Sequence, residues 1–259
     1  MLADCTTEQL LGKEFKFIEA PELNLRITVW ENPVKDHIYA LGFDAAYGIL
    51  GRDCDAAVVL DKTTHPIRQV CEIQGWLGER FTPVVYACAR YFNDAFIVGE
   101  RQVGLATLRR LYDVPPRGFG YRYLYYDRDE TKRARSVGDK LGHHRTHDDV
   151  TMRNLRLAVQ RNEVEIRSEQ LLDQMSRLQF RDTLRDQDER AEDEKLRVKL
   201  AGGGSPDLVM GLCYAWHGIR EVGKFDVPDK PKYPPGSFGE MFHHEVLDDP
   251  TINSECSWI

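Results

Sequence analysis

Hydrophobic and polar positions change their period along the chain, and the change divides strands from helices. Residues 37–44 (HIYALGFD) alternate apolar and small residues and end on an acid. Residues 56–60 (AAVVL) are continuously apolar and rich in β-branched side chains, as in a buried strand. Residues 67–73 (IRQVCEI) alternate with a period of two. The link Asp61-Lys-Thr-Thr-His-Pro66 is polar and closes on proline, a hairpin-type connection. Three strands joined in this way predict an antiparallel meander. From Thr82 the spacing becomes three and four. Phe81, Val84, Val85, Cys88, Ala89 and Phe92 then share one helical face, with Pro83 in the first turn.

Residues 95–99 (AFIVG) predict a short interior strand that runs into Glu100, and residues 105–111 predict a helix. A Pro-Pro-Arg-Gly break at 115–118 precedes an aromatic strand, YRYLYY, at 121–126. Residues 127–148 read as a polar loop, after which Asp149 caps a helix running to about Arg161. Residues 164–167 predict a short strand, and Ser168 caps a helix to about Phe180. The charge run at 182–199 suits a solvated hairpin or an exposed helix. Gly202-Gly-Gly-Ser205 is a flexible joint, and Pro206 opens an apolar helix, DLVMGLCYAWHGI. Three antiparallel strands followed by alternating helices and strands predict an α/β fold, an RNase H-like mixed sheet flanked by helices. A Rossmann fold would open on G-x-G-x-x-G, which the sequence lacks. The expected organisation is an N-terminal extension (1–24), an RNase H-like domain (25–223) and a Pro-rich acidic tail (224–259).

Composition narrows the function. With 42% hydrophobic and 30% charged residues, the chain of 259 residues has a globular composition. It has no apolar run of membrane-spanning length, and its first residues, MLADCTTEQ, carry no secretory pattern. The six cysteines are scattered with no C-x-x-C pair, which argues against a zinc ribbon and for reduced thiols in an intracellular setting. No P-loop motif is present. The net charge of −7 disfavours nucleic acid at first sight, but residues 101–145 hold eleven basic and five acidic side chains. Residues 224–259 hold three basic and seven acidic ones. A basic middle permits a phosphate-binding face, although ordinary clustering on a solvated surface explains it as well.

Three acids stand where a carboxylate is costly. Asp44 ends the apolar run IYALGF, Glu100 follows AFIVG, and Asp207 opens an otherwise apolar helix after the glycine joint. An acid beside apolar packing is expensive unless it meets a cation. Brought together, these three could hold one or two Mg²⁺ or Mn²⁺ ions, since hard oxygen ligands select such metals for phosphodiester hydrolysis. Helix capping accounts for Asp207 nearly as well.

The same residues carry a resemblance. The run L-x-I-x-V-x-E-x-P-x-x-x-x-x-Y-x-x-G-x-D-x-A-x-G from Leu25 to Gly48 resembles the entry to the nuclease domain of the large terminase subunit of tailed bacteriophages. The likeness continues through Asp53-x-x-Ala56-Ala-Val-Val-Leu-Asp61, Glu100-x-x-x-Gly104 with Leu108 and Leu111, and Leu124-Tyr-Tyr126. It then takes in NLRLAVQRNEVEIRSEQLL, within Arg153 to Leu172, and Ser205-Pro-Asp-Leu-Val-Met210, so that it spans roughly residues 25–222 in one order.

The resemblance implies a metal-dependent endonuclease that cuts double-stranded DNA by a two-metal mechanism during viral genome packaging. Asp44 would be the first-strand ligand bridging both ions, Glu100 the second-site ligand and Asp207 the ligand at the final helix, with Asp53 an accessory. The implied cofactors are two Mg²⁺ or Mn²⁺ ions. The implied partners are double-stranded DNA, the terminase ATPase domain, the portal and the small terminase subunit, at the packaging motor on the procapsid in the host cytoplasm, with no membrane. Two departures stand out. Many members show His-Asp-Asp before the last helix, whereas this chain has Ser205-Pro206-Asp207 and lacks a fourth carboxylate there. His147-Asp148-Asp149 repeats that string elsewhere and reads as a coincidence and a helix cap. The ATPase motor that normally precedes this domain is missing from the sequence, so an excised domain or a separately encoded nuclease is expected.

Lys132, Arg133, Arg135, Lys140 and Arg145, in the polar loop, are candidate contacts to DNA phosphates, and a plain solvated loop fits them equally. His143, His144, His147, His243 and His244 match no zinc spacing and are expected as exposed loop residues. Tyr121, Tyr123, Tyr125 and Tyr126 are expected to pack rather than stack on bases. The acidic tail, ending in Trp258-Ile259, suits a partner-docking segment such as one for the portal; an expression remnant fits nearly as well. Two rival functions remain: a non-catalytic module docking DNA or the portal, and another RNase H-like nuclease such as a junction resolvase.

Overall fold

The predicted meander forms the middle of a seven-stranded sheet in a computed structural model that describes residues 18–20, 25–46, 54–126, 140–144, 148–180 and 198–223. Its first half runs β1 (Ile18–Ala20), β2 (Leu25–Val29), β3 (Tyr39–Asp44), β4 (Asp55–Asp61), β5 (Ile67–Gly75), α1 (Phe81–Tyr91), β6 (Phe96–Gly99) and α2 (Arg101–Tyr112). The second half runs α3 (Asp148–Gln160), β7 (Val164–Glu165), α4 (Glu169–Ser176), β8 (Leu178–Phe180), β9 (Val198–Leu200) and α5 (Asp207–Glu221). The sheet order is β1-β2-β5-β4-β3-β6, with β7 pairing to β5. β3, β4 and β5 pair antiparallel, and β6 joins β3 in parallel. This is the RNase H-like mixed sheet, with β1 and β2 added at one edge.

Alternation along the strands sends side chains to two apolar layers. Tyr39, Leu41, Phe43, Ala57, Val59 and Ile97 pack with Phe81, Val85, Leu108 and Leu111 under α1 and α2. Ala40, Ala56, Val58 and Leu60 face the other way, onto Leu208, Leu212, Ala215 and Trp216 of α5 and onto Met152 and Leu155 of α3. Phe96 and Val98 meet Tyr214 on that second face. Small residues let α5 lie close: a Cβ on Gly218 would sit 3.1 Å from the Ala40 Cβ. α5 therefore runs antiparallel to β3, with its N-terminus at the end of the strand that carries Asp44.

Several elements differ from the sequence expectation. α2 begins at Arg101, directly after Glu100, rather than at 105. The aromatic segment 121–126 makes only isolated bridges, Leu124 with Ile97 and Tyr126 with Leu141 and Gly142. There Tyr121 turns inward and its hydroxyl donates to the Ala95 carbonyl at 2.6 Å. α3 starts at Asp148, so Asp149 lies inside the helix rather than capping it. Ser168 does cap α4, its Oγ accepting from Leu171 N at 3.0 Å. That helix stops at Ser176, however, because 178–180 pair antiparallel with 198–200. This pairing brackets the charge run as a hairpin would, while residues 181–197 lie outside the described residues, as does the tail after 223.

Asp55 fixes the loop beyond Asp44. It is buried, and its carboxylate accepts from Ala46 N, Leu77 N and Gly78 N, each at 2.9 Å. Asp55→Ala should leave these donors without their acceptor, at about 1–3 kcal/mol per buried group. The expected loss is about 3 kcal/mol, read as a lower urea midpoint at unchanged slope. Burial holds the Asp55 carboxyl above its ordinary value despite these three N–H groups. Its contribution to stability is therefore greatest below the ordinary carboxyl range and declines as pH rises to the raised value.

Candidate metal centre

Two of the three acids stand side by side because of strand register. Phe43 pairs with Gly99 across the parallel β3–β6 ladder, so Asp44 and Glu100 are the next residue on each strand. Glu100 N donates to the Phe43 carbonyl at 3.4 Å, which keeps the two strands together at that point. By alternation both acids continue the rows Ala40-Gly42 and Phe96-Val98, which face α5. Glu100 is 1% exposed, while Asp44 is half-buried.

The third acid arrives on the helix. Gly202, Gly203 and Gly204 take φ of +83°, +93° and +95°, a left-handed run that side chains would resist. It delivers Asp207 as the first residue of α5, where the helix dipole favours negative charge. The Asp207 carboxylate is 5% exposed and accepts from Cys54 N at 2.9 Å and from the Ser205 hydroxyl. Pro206, expected within the first turn, occupies the cap position and offers no side-chain bond. A Cβ on Gly42 would lie 2.0 Å from Ala215 N and 2.2 Å from the Gly211 carbonyl. That contact sets the level of α5 against β3 and carries Asp207 to the strand end.

The structure also brings in residues that the sequence reading set aside. His143 is not an exposed loop residue: it is 1% exposed and bridges to Glu100 through the backbone, its N donating to the Gly99 carbonyl at 2.8 Å. Its Nδ1 lies 3.3 Å from Asp148 Oδ1, and its Nε2 lies 3.0 Å from the Thr151 hydroxyl. The Tyr214 hydroxyl donates to the same Asp148 oxygen at 3.4 Å. Burial, and after it the charges of Asp148, Asp44 and Glu100, push the Tyr214 hydroxyl well above its ordinary value. Asp148, the first residue of α3, thus lies against His143, whose backbone bridges to Glu100. No local period could reveal this, because Tyr214 reads as one more apolar helix residue.

In kind, these carboxylates fit a hard divalent cation: several oxygens from separate elements on one face. Among the described residues no three carboxylate, imidazole or thiol side chains gather tightly enough to coordinate an ion. The acids share one end of the sheet without closing into a coordination shell. Of the basic candidates, Lys140 is half-buried next to the Leu141–His143 bridges. Lys132, Arg133, Arg135 and Arg145 lie outside the described residues, as does Asp53.

No family model matches the chain, and no curated protein does. Among solved structures, the chain is similar to the large terminase nuclease domain of Thermus phage P74-26, at 19% identity and a TM-score of 0.50, covering 73% of this chain and 84% of that one. The large terminase nuclease from thermophilic phage G20c matches at 18% identity and a TM-score of 0.49, over 74% and 87% of the two chains. A magnesium-bound structure of the G20c nuclease matches at 16% and 0.47, over 82% and 96%. At such identity the likeness concerns the fold, and the chain has the RNase H-like fold of a phage large terminase nuclease domain.

Proposed function

We propose that this protein is a metal-dependent DNA endonuclease of a viral genome-packaging machine. The observation that carries the reading is the register that sets Asp44 beside Glu100 on the face covered by the α5 N-terminus, where Asp207 begins. The fold shared with a terminase nuclease domain supports the same reading. Asp44, Glu100 and Asp207 would hold two Mg²⁺ or Mn²⁺ ions, with Asp44 the bridging ligand. Bound there, the ions would supply Lewis-acid activation of the phosphodiester and its attacking water. The protein's own part is orientation and exclusion of water. Cys54 N and the Ser205 hydroxyl fix the Asp207 carboxylate, and burial keeps Glu100 from bulk solvent. Double-stranded DNA is the proposed substrate. The ATPase domain, the portal and the small terminase subunit are the proposed partners, at the procapsid motor in the host cytoplasm.

Incubating plasmid with the protein and Mn²⁺ should give nicked and linear products, and chelator should abolish them. Intact plasmid under all conditions would favour the non-catalytic docking module. A preference for branched over linear duplex would favour the resolvase.

The basic residues at 132–145 are proposed to hold phosphates. Replacing Lys132, Arg133 and Arg135 together with alanine should reduce cutting of long duplex more than Mn²⁺ affinity. The salt dependence of DNA binding should flatten by roughly 0.9 in log–log slope for each lost contact. An unchanged slope would remove these residues from the interface.

A further inference from the structure

α3 leaves a mixed apolar and basic face in water. Its inner side is filled, with Met152, Leu155 and Ala158 packed in the apolar layer of Leu208, Leu212 and Trp216. On the opposite side Val150, Arg153 and Leu157 follow one another at three and four residues, so they form one stripe. Val150 is 60% and Leu157 40% exposed. Arg153 and Arg156 are exposed beside them, and residues 150–161 hold three arginines and no acid. Arg161 meets only Glu163, at 3.8 Å. Among the described residues no acid pairs with Arg153 or Arg156, whereas Arg90 and Arg177 each pair with an acid four residues away. A purely polyanionic partner would use the arginines and leave both aliphatic side chains in water. A partner that satisfies the whole stripe is acidic and apolar together.

The chain itself carries such a segment. Residues 240–249 (EMFHHEVLDD) hold four acids, no lysine or arginine, and the apolar Met241, Phe242, Val246 and Leu247. They follow α5, the helix that packs against the inner side of α3. Between Gly223 and Glu240 lie sixteen residues, four of them proline. At an extended rise of about 3.1 Å per residue these span up to about 50 Å. α3, with 13 residues, is about 20 Å long, so every part of its outer face is within reach. We propose that the exposed face of α3 is the docking site of residues 240–249 of the same chain. Val150 and Leu157 take its apolar side chains, and Arg153, Arg156 and Arg161 surround its carboxylates. Each exposed ion pair is weak by itself. A tether of this length, however, holds the segment at an effective concentration of roughly millimolar order, so a weak contact suffices to keep it in place.

The test uses the whole chain. Arg153→Lys keeps the charge and places an amine on the stripe, and a carbodiimide then joins that amine to any carboxylate in contact with it. Peptide mass spectrometry should find it joined to Glu240, Glu245, Asp248 or Asp249 within one chain, and high salt should suppress the product. Mixing isotope-labelled with unlabelled protein separates links within a chain from links between chains. A second measurement is cleavage after Glu240 and Glu245 by a glutamate-specific protease. Arg153→Glu with Leu157→Ser should speed it by roughly fivefold or more, since proteolysis follows the population of the open form. Both side chains are exposed, and circular dichroism checks that the variant folds. Links only between chains would make a second copy the occupant and overturn the proposal. So would equal cleavage of the folded variant and the wild type; if Arg153→Glu then weakened binding to duplex DNA, the face would belong to DNA instead. Absence of any link to residues 240–249 would also overturn it.

Discussion

Asp44→Asn should abolish plasmid cutting while the protein stays folded. The side chain ends β3 half-buried, and asparagine preserves its shape, so the ladder from Tyr39 to Asp44 has no reason to break. What changes is charge at the residue proposed to bridge both ions. Substitutions behind a metal ligand already cost 10–100-fold, so loss of a bridging ligand should lower the cutting rate by roughly 10²-fold or more. Removing one of several neighbouring negative charges should also leave the thermal midpoint unchanged or slightly raised. A supercoiled-plasmid time course and a melting curve on the same sample measure both. Wild-type cutting by this variant would refute the assignment of Asp44.

Gly42→Ala should be the most damaging single methyl in the described structure. The added carbon would meet backbone on α5, 2.0 Å from Ala215 N and 2.2 Å from the Gly211 carbonyl, and helix backbone cannot rotate aside as a side chain can. Relief requires lifting α5 from the sheet, which opens the apolar layer of Ala40, Val58, Leu208 and Leu212. The expected loss is about 4 kcal/mol or more, beyond the usual range for overpacking. Soluble yield and the urea midpoint measure it. Any fraction that folds should also cut poorly, since Asp207 moves with the helix. Gly202→Ala, where nothing lies within 4 Å, should cost only the strain of a positive φ.

The strands were readable because their signals are local. Continuous apolar residues at 56–60 and alternation at 67–73 are set by burial on each strand, and β4 and β5 formed where those patterns lie. Asp44, Glu100 and Asp207 could be singled out for the same reason, as acids closing apolar runs. The grouping around Asp148 was not readable, since it depends on pairing across the fold. His143 reads as one of several loop histidines until its bridge to Glu100 is seen, and Tyr214 lies 66 residues from its carboxylate partner. The end of α4 was misread because helical spacing continues past Ser176, whereas pairing of Leu178–Phe180 with Val198–Leu200 takes those residues into a ladder. Tertiary contacts outweighed local propensity there.

Crossing α5 over β3 also orders events as the chain is made. Asp44 and Glu100 emerge early, on strands that can pair as soon as the meander closes, but Asp207 is translated 107 residues after Glu100. Until then the face that α5 will cover, with Ala40, Val58 and Val98, is bare apolar surface. A nascent chain still on the ribosome therefore holds two of the three proposed ligands without the third. On the proposed reading, the third ligand and the cover of the last apolar face arrive in the same docking step, so a chain that stalls before α5 should neither cut DNA nor resist proteases.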